Sequence, residues 1–193
     1  MPWRKSFTEE NVLERAMEAF WARGYEATSM QDLVDCTGIN RGSIYATFGD
    51  KHQFFVAALK HYDAKHRHDW AEALARDHGP RDAILKVFDQ VGRSVLVDGK
   101  RGGCLLINTA LELAPHDPEV ARIISNALQQ MENFFQAMIE RGQAAGEISR
   151  DVAPERTACG LLALLAGLRV FSRSRPEPPL IQSIRLQAEA LLD

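Results

Sequence analysis

The stretch that decides the fold runs from Thr28 to Lys51 and reads TSMQDLVDCTGINRGSIYATFGDK. Thr28 and Gln31 have the three-residue spacing of a capping box, which predicts the start of a helix. Gly38 is typical of a helix C-terminus, because glycine accepts the left-handed conformation there, and Asn40 is a preferred N-cap for a second helix. Two helices joined by a short glycine-containing turn form a helix-turn-helix, whose second helix enters the major groove of DNA.

The second helix of this motif has one apolar face and one hydrogen-bonding face. Ile44 and Phe48 are four residues apart and therefore point inward together. Hydroxyl and cationic side chains occupy the remaining positions, where they can reach phosphates and base edges. The predicted DNA-binding residues are Thr28, Ser29, Arg41, Gly42, Ser43, Tyr45, Ala46, Thr47 and Lys51.

Three blocks of this region resemble a known family of DNA-binding domains. They are Gly24-Tyr25, then Thr28 with Asp32-Leu33, then the run from Gly38 to Lys51. Together they resemble the DNA-binding domain of the tetracycline-repressor (TetR) family. The resemblance implies a homodimeric transcriptional regulator, usually a repressor, that binds a palindromic double-stranded operator and is released by a small-molecule effector.

At Ala46 and Thr47 the sequence departs from the common family pattern, in which aromatic or histidine side chains often stand. The base preference of a relative therefore does not transfer to this chain.

The charge of the chain is not that of a generally basic nucleic-acid binder. The net charge is −3 over 193 residues, and residues 1–68 hold nine Lys or Arg against nine Asp or Glu. Attraction to phosphates must therefore come from local placement, for which Arg4, Lys5, Arg41 and Lys51 are the candidates.

Several classes of protein are disfavoured by composition. Residues 1–20 are charged throughout, and the longest uncharged apolar run, 157–168, is far shorter than a membrane span, which predicts a cytoplasmic protein without a membrane partner. Three cysteines lack CxxC spacing. Five histidines lie along one predicted helix without the i, i+4 spacing of metal ligands, so we expect a solvated face. The sequence predicts neither a metal site nor a cofactor.

Helical periodicity continues through the whole chain, and no alternating apolar segment predicts a strand. We expect an all-α fold of about nine helices, with a three-helix helix-turn-helix domain at 1–48 and a helical ligand-binding and dimerisation domain at 49–193. Thr8 caps the first helix, and an uninterrupted fourth helix should run from Asp50 to His78. That fourth helix would carry movement between the two domains.

The last two helices are apolar on more sides than the surface of a monomer requires. Residues 157–171 read TACGLLALLAGLRVF, which needs a partner on more than one side. A two-fold four-helix interface is our interpretation, and burial inside one domain is the alternative. The predicted interface residues are Leu161, Leu164, Leu165, Leu168, Ile184 and Leu191.

The middle helices have the composition of pocket walls. Cys104, Asn108 and Leu111 are spaced i, i+4, i+7, and one amide among apolar side chains is suited to orienting a ligand. An ordinary core, with Asn108 capping a neighbouring helix, is the alternative. The predicted ligand-binding residues are Phe88, Val91, Cys104, Asn108, Leu111, Phe134, Phe135 and Met138.

The sequence leaves three alternative functions open. Cys104 follows Lys100-Arg101-Gly102-Gly103 at a helix start, which favours a reactive thiolate and hence a redox- or electrophile-sensing repressor. A DNA-binding helical dimer without an effector is a second alternative. An enzyme is the least favoured, because Cys104 and His116 have no identifiable third catalytic partner.

Overall fold

In the computed structural model, residues 8–99 and 102–193 are described, and within these ranges every regular element is a helix. The helices are α1 (Glu9–Arg23), α2 (Met30–Thr37), α3 (Arg41–Phe48), α4 (Lys51–Tyr62), α5 (Asp69–Asp77), α6 (Pro80–Leu96), α7 (Leu105–Glu112), α8 (Pro118–Ala145), α9 (Pro154–Ser174) and α10 (Pro178–Ala190). A π-helical segment, Asp63–His68, joins α4 to α5 without a break. The all-α prediction is confirmed.

The helix starts are set by side-chain caps. Thr8 accepts a hydrogen bond from the Asn11 amide at the start of α1, as predicted. The predicted Thr28–Gln31 capping box is wrong by one residue, because the N-cap of α2 is Ser29, which exchanges hydrogen bonds with Asp32. Thr28 is fully buried, and its hydroxyl donates to the Gly24 carbonyl at 2.6 Å.

The fourth helix is not the regular α-helix that the sequence predicted. Its π-helical segment adds a residue to the turn, and such bulges are frequent at functional sites. Arg67, within this segment, turns inward and is only 9% exposed. Its guanidinium donates to Asp63 at 2.9 Å and to Gln130 of α8 at 2.7 Å, which fixes the π segment to the centre of the fold.

The hydrophobic core has two parts. One lies among α6, α8, α9 and α10 and contains Phe88 and Phe135. The other joins α1–α4 to α7 and the start of α8, so that Phe20 and Phe55, whose rings meet edge to face at 4.9 Å, share a cluster with Leu106. This second part packs across residues 48 and 49. The domain boundary at that point stays a prediction.

α9 is the one helix in the described ranges that is long and apolar enough to be considered a membrane span. Its mean hydropathy of 1.2 is low for that purpose, and it packs against α8, α6 and α10. α9 is therefore a core helix of this fold and does not indicate a membrane.

Candidate nucleic-acid interface and ligand cavity

The helix-turn-helix is built from α2, the turn at Gly38–Asn40, and α3. Gly38 adopts the left-handed conformation, with φ of 73°, and ends α2. Asn40 caps α3 by accepting from the Ser43 amide at 2.8 Å, as predicted. Ile44 is fully buried, and Phe48 stacks on Phe54 with ring centroids 4.2 Å apart. These contacts hold α3 against the domain by its apolar face and turn its other face to solvent.

The exposed face of α3 presents cationic and aromatic groups. Tyr45 is 44% exposed, and the Arg41 guanidinium lies 5.7 Å above its ring. Lys51 lies 4.3 Å above the ring of Tyr25, at the start of α4. No carboxylate lies within 4.0 Å of Arg41 or Lys51 among the residues that the structure describes. Both cations are therefore available to phosphates or bases.

The structure brings most of the predicted DNA-binding residues to one surface. Exposed or half-exposed at α3 and its flanks are Ser29, Arg41, Gly42, Ser43, Tyr45, Ala46, Thr47 and Lys51. Thr28 is the exception, because its side chain is buried and bonded to the backbone. Arg4 and Lys5 lie outside the described residues.

Two cavities that share lining residues lie next to the π segment. The smaller, called the inner chamber, has a volume of about 50 Å³ and is lined by residues of α7, α8, α9 and the π segment. The larger, called the outer cleft, has a volume of about 730 Å³ and lies between α1, the π segment, α6 and α9. Both are lined by Tyr62, His66, Trp70 and Arg169. The volume of the cleft is within the range of small-molecule sites.

Burial keeps the Tyr62 phenol neutral at the junction of the two cavities. Desolvation raises its pKa well above the usual value, and its hydroxyl donates to the Cys104 thiol at 3.5 Å. Cys104 is half-buried and lines the inner chamber. Tyr62 and Cys104 thus add a hydroxyl and a thiol to the polar groups of His66, Arg67 and Arg169 at the inner chamber, whose remaining lining is mostly aliphatic.

The predicted ligand-binding residues do not form one pocket. Phe88, Phe135 and Met138 are buried in the core, and Phe134 packs against them. Of the others, Val91 lines the outer cleft and Cys104 the inner chamber.

Asn108 and Leu111 line a separate depression of about 510 Å³ between α1, α7 and α9. The Asn108 amide donates to the Gly102 carbonyl at 3.0 Å, and Leu111 is 74% exposed. The i, i+4, i+7 pattern therefore does not place Cys104, Asn108 and Leu111 at one cavity, because Cys104 is the N-cap of α7 and turns to the opposite side.

Sequence reasoning missed the aromatic residues that line the cleft. Trp21 of α1, Trp70 of α5 and Arg169 of α9 all line it. These residues are far apart in sequence, so spacing carries no signal that they meet. The only indication in the sequence was the presence of two tryptophans and an arginine on these helices.

Several polar contacts join α1–α4 to the rest of the chain. The Glu112 carboxylate at the end of α7 accepts from the backbone amides of Tyr25 and Glu26 at 3.2 and 3.0 Å. The Trp21 indole donates to the Gly102 carbonyl at 2.9 Å.

A further contact is between His52 of α4 and Asp117, the N-cap of α8, at 2.6 Å. Hydrogen bonds from the Val120 amide, together with His52, lower the pKa of Asp117. The start of α4, which directly follows α3, is thereby held by the start of α8.

The histidines of the fourth helix are not simply solvated, as the sequence suggested. His52, His61, His66, His68 and His78 each lie within 4 Å of a carboxylate, and His61 is 2.8 Å from Glu14. In the described residues no three His, Cys, Asp or Glu side chains come together as a metal site.

The predicted dimer residues fall on two sides of α9 and α10. Leu161 and Leu168 are fully buried inside the chain, and Leu165 lines the inner chamber, so the prediction is wrong that these three face a partner. Ile184 is also largely buried.

A different side of α9 and α10 faces solvent, and this side is also apolar. On α9 this side contains Gly160, Ala163, Gly167 and Val170. The space where a side chain at Gly167 would lie is empty to a distance of 4 Å. Leu186, 58% exposed, and Leu191 lie on α10. Leu164, which the sequence assigned to the interface, is half-exposed.

Comparison with known proteins matches both parts of the chain. Residues 12–58 match the family of bacterial regulatory proteins, tetR family, and residues 80–185 match the tetracyclin repressor-like C-terminal domain. The HTH-type transcriptional regulator YezE of Bacillus subtilis (strain 168) is 38% identical over 146 residues, which is 75% of each chain.

A second relative and a solved structure extend over more of the chain. The HTH-type transcriptional repressor ComR of Escherichia coli (strain K12) is 29% identical over 88% of this chain and 81% of its own. A cysteine mutant of the TetR family regulator CifR, solved with 26 bp operator DNA, has a TM-score of 0.86 at 26% identity, covering 99% of this chain and 100% of its own.

The fold, the exposed reader helix and these matches define a helix-turn-helix transcriptional regulator that binds double-stranded DNA. The chain belongs to the TetR family. The family is dimeric and binds small-molecule effectors.

Proposed function

We propose that the protein is a repressor that leaves its operator when a small molecule occupies the outer cleft and inner chamber. The observation that carries this proposal is the position of the cleft. Its lining includes Trp21 of α1, which belongs to the DNA-binding helices, together with residues of the π segment, α6 and α9. An occupant of the cleft therefore touches both parts of the molecule at once.

An effector changes operator affinity only if it binds one conformation better than the other. Helix α7 contacts both the ligand cavity and the DNA-binding helices, so it could couple ligand binding to DNA binding. Its start lines the inner chamber through Leu106 and Ile107, and its end holds the α1–α2 turn through Glu112. A shift of α7 on ligand binding would move the turn that precedes α2 and α3. The contact between His52 and Asp117 would carry the same shift to α4.

The DNA-binding surface is proposed to be the predicted set without Thr28. Within it, we assign Tyr45 and Lys51 to phosphates, and Arg41, Ser43 and Thr47 to base edges or the adjoining backbone. A two-fold dimer would place two α3 helices in successive major grooves, about 34–36 Å apart or a multiple of it.

The dimer surface is proposed to be the exposed apolar side of α9 and α10. The small exposed residue Ala163 and the open position at Gly167 allow a partner helix to approach closely. Leu186 and Leu191 flank these positions. The remaining assignments follow from the family: a cytoplasmic regulator with no catalytic step, in which residues 49–193 carry ligand binding and dimerisation.

Selection of binding sites from random DNA, followed by fluorescence anisotropy on the selected operator, tests the proposal. A small molecule that binds the protein should raise the operator Kd at least tenfold, and operator should weaken the binding of that molecule by the same factor. Compounds that occupy the cleft without changing operator affinity would overturn release and favour the effector-free DNA-binding dimer.

The cleft favours a ligand over the two alternatives. A dimer without an effector has no need of a 730 Å³ opening beside its DNA-binding helices. The comparisons do not favour cysteine sensing over the ligand-released repressor, and the Cys104 thiol is engaged by Tyr62. Loss of ligand response in Cys104→Ser alone would restore the cysteine alternative.

A further inference from the structure

Arg169 is the one cation at the junction of the cleft and the chamber that has no acidic partner in the described ranges. It lines both cavities, and its guanidinium lies 5.9 Å above the ring of Trp70. Among the described residues, no carboxylate oxygen lies within 4.0 Å of its nitrogens. A guanidinium over an indole face is attracted to the ring and still has N–H donors available to a ligand.

The other cations around the two cavities are already neutralised. Arg67 is paired with Asp63, and Lys65 is paired with Glu10. Pairing removes their attraction for a further anion, because the nearest opposite charge is within hydrogen-bond distance. Arg169 is therefore distinct in lining both cavities without an acidic partner among the described residues.

The acidic groups that line the cleft are both on α1. Glu14 is engaged by His61 at 2.8 Å and by His66 at 3.6 Å. Glu18 is exposed to water, which screens its charge. The negative potential of these two carboxylates is thereby reduced, whereas the positive potential of Arg169 is not.

The inner chamber beside Arg169 is apolar and small. Its aliphatic lining is Leu106, Ile107, Leu128, Met131, Leu162 and Leu165. A volume of about 50 Å³ holds only a few non-hydrogen atoms, and an uncompensated polar group would be costly there. A ligand with one short apolar end and one anionic group fits this combination.

We infer that the effector is an organic monocarboxylate, whose apolar end enters the inner chamber while its carboxylate pairs with Arg169. The inference rests on the proposed function, since it names the class of molecule that occupies the same site. An Arg–carboxylate pair is bidentate and charge-assisted, so it gives both orientation and affinity at a half-buried position. The cation is held in place by Trp70, whose indole in turn donates to Gln90.

Isothermal titration without DNA, on the full-length protein, tests the class of ligand. The probes are butyrate and hexanoate, the matched neutral butanamide and hexanamide, and the matched cation hexylammonium. At least one carboxylate should bind at least tenfold more tightly than its amide, and its affinity should fall as salt rises. Equal affinity for the amide, tighter binding of hexylammonium, or no binding of either carboxylate at millimolar concentration would overturn the inference.

Substitutions at Arg169 separate charge from shape. Arg169→Met should weaken carboxylate binding at least tenfold, and Arg169→Lys should lose less, because it keeps the charge without the bidentate geometry. Arg150→Met, at an exposed turn between α8 and α9, is the matched control and should bind as the wild type does. Far-UV circular dichroism and operator binding verify that each variant is folded. An Arg169→Met variant with unchanged carboxylate affinity would also overturn the inference.

The same probes distinguish this inference from the proposed function. If carboxylates bind through Arg169 but operator stays bound at saturation, the anion site stands and release fails. If a neutral or cationic molecule releases the operator while neither carboxylate binds, release stands and the anion site fails.

Discussion

The carboxylate of Glu112, at the last residue of α7, accepts a hydrogen bond from the backbone amide of Tyr25 at 3.2 Å, and its second oxygen accepts from the next amide at 3.0 Å. The contact spans 87 residues of sequence. It fixes the turn between α1 and α2 to a helix whose other end lines the inner chamber. Two backbone donors on one carboxylate make the contact stronger than a single neutral hydrogen bond.

Removal of this contact should uncouple ligand from operator. In Glu112→Ala we expect ligand affinity within about twofold of wild type, while the factor by which ligand weakens operator binding falls at least threefold, roughly 0.65 kcal/mol of coupling. Ligand and operator titrations, each with and without the other component, measure this factor. Glu140→Ala, at an exposed site on α8, is the control. Unchanged coupling in Glu112→Ala would remove α7 from the mechanism.

Arg41 should contribute to sequence specificity. Arg41→Ala should cost about 1–3 kcal/mol on the operator and relax base preference at one position in each half-site. Competition binding against single-base operator variants measures both effects. Equal losses on operator and random DNA would show that Arg41 contacts only phosphate.

Lys51 should contribute to affinity for every DNA sequence alike. Lys51→Ala should weaken operator and random DNA by the same factor and reduce the slope of log K against log salt by about one per protomer. Lys60→Ala, on the exposed side of α4, removes the same charge elsewhere and is the control. A salt slope that does not change in Lys51→Ala would contradict the phosphate assignment.

A charge on the exposed apolar side of α10 should disrupt the dimer without unfolding the chain. Leu186 is 58% exposed, so Leu186→Glu leaves the core intact but would bury an unpaired carboxylate twice across the two-fold, at a cost of several kcal/mol. Analytical ultracentrifugation should show monomer at micromolar concentration. Val97→Glu, at the exposed C-cap of α6, should remain dimeric. A dimeric Leu186→Glu would move the interface elsewhere.

The cap of α2 should depend on pH through Asp32. Hydrogen bonds from Ser29, with the guanidinium of Arg23, lower the pKa of Asp32 to about 2, against an ordinary value of 3.8. A carboxyl with a lowered folded-state pKa stabilises the fold above its unfolded pKa and loses that contribution as pH falls through the folded value.

The stability difference between wild type and Asp32→Asn should therefore be constant above about pH 5 and shrink between about pH 4 and pH 2. Urea unfolding at several pH values measures it. A difference that persists unchanged at pH 2 would show that the charge of Asp32 does not contribute to the cap.

The sequence determined the helices better than it determined their contacts. Glycine, proline and hydroxyl caps are local, so most helix starts and ends were predictable, and Asn40 was predicted in its role. The box at α2 was misplaced because Thr28 and Ser29 are adjacent hydroxyls, and only burial distinguishes them.

The cavity and the dimer surface could not be predicted for different reasons. Cavity walls come from helices distant in sequence, as Trp21 and Arg169 show, and spacing within one helix does not specify which helices meet. Helix α9 is apolar nearly all the way round, so the spacing of its apolar residues does not show which side faces the core. Leu161 lies on the side that faces the core, and Val170 lies on the side that faces solvent.

The extra residue in the π segment also sets the rotational register of everything after it in that helix. Each residue of an α-helix advances the side-chain direction by about 100°. The bulge at Asp63–His68 therefore decides that Arg67 faces the centre of the fold and that Trp70 faces the cavities. Deletion of a single residue there would return the helix to regular winding and present a different set of side chains to the same space. One insertion or deletion at this point can thus change which side chains of the helix line the cavities, with no substitution elsewhere.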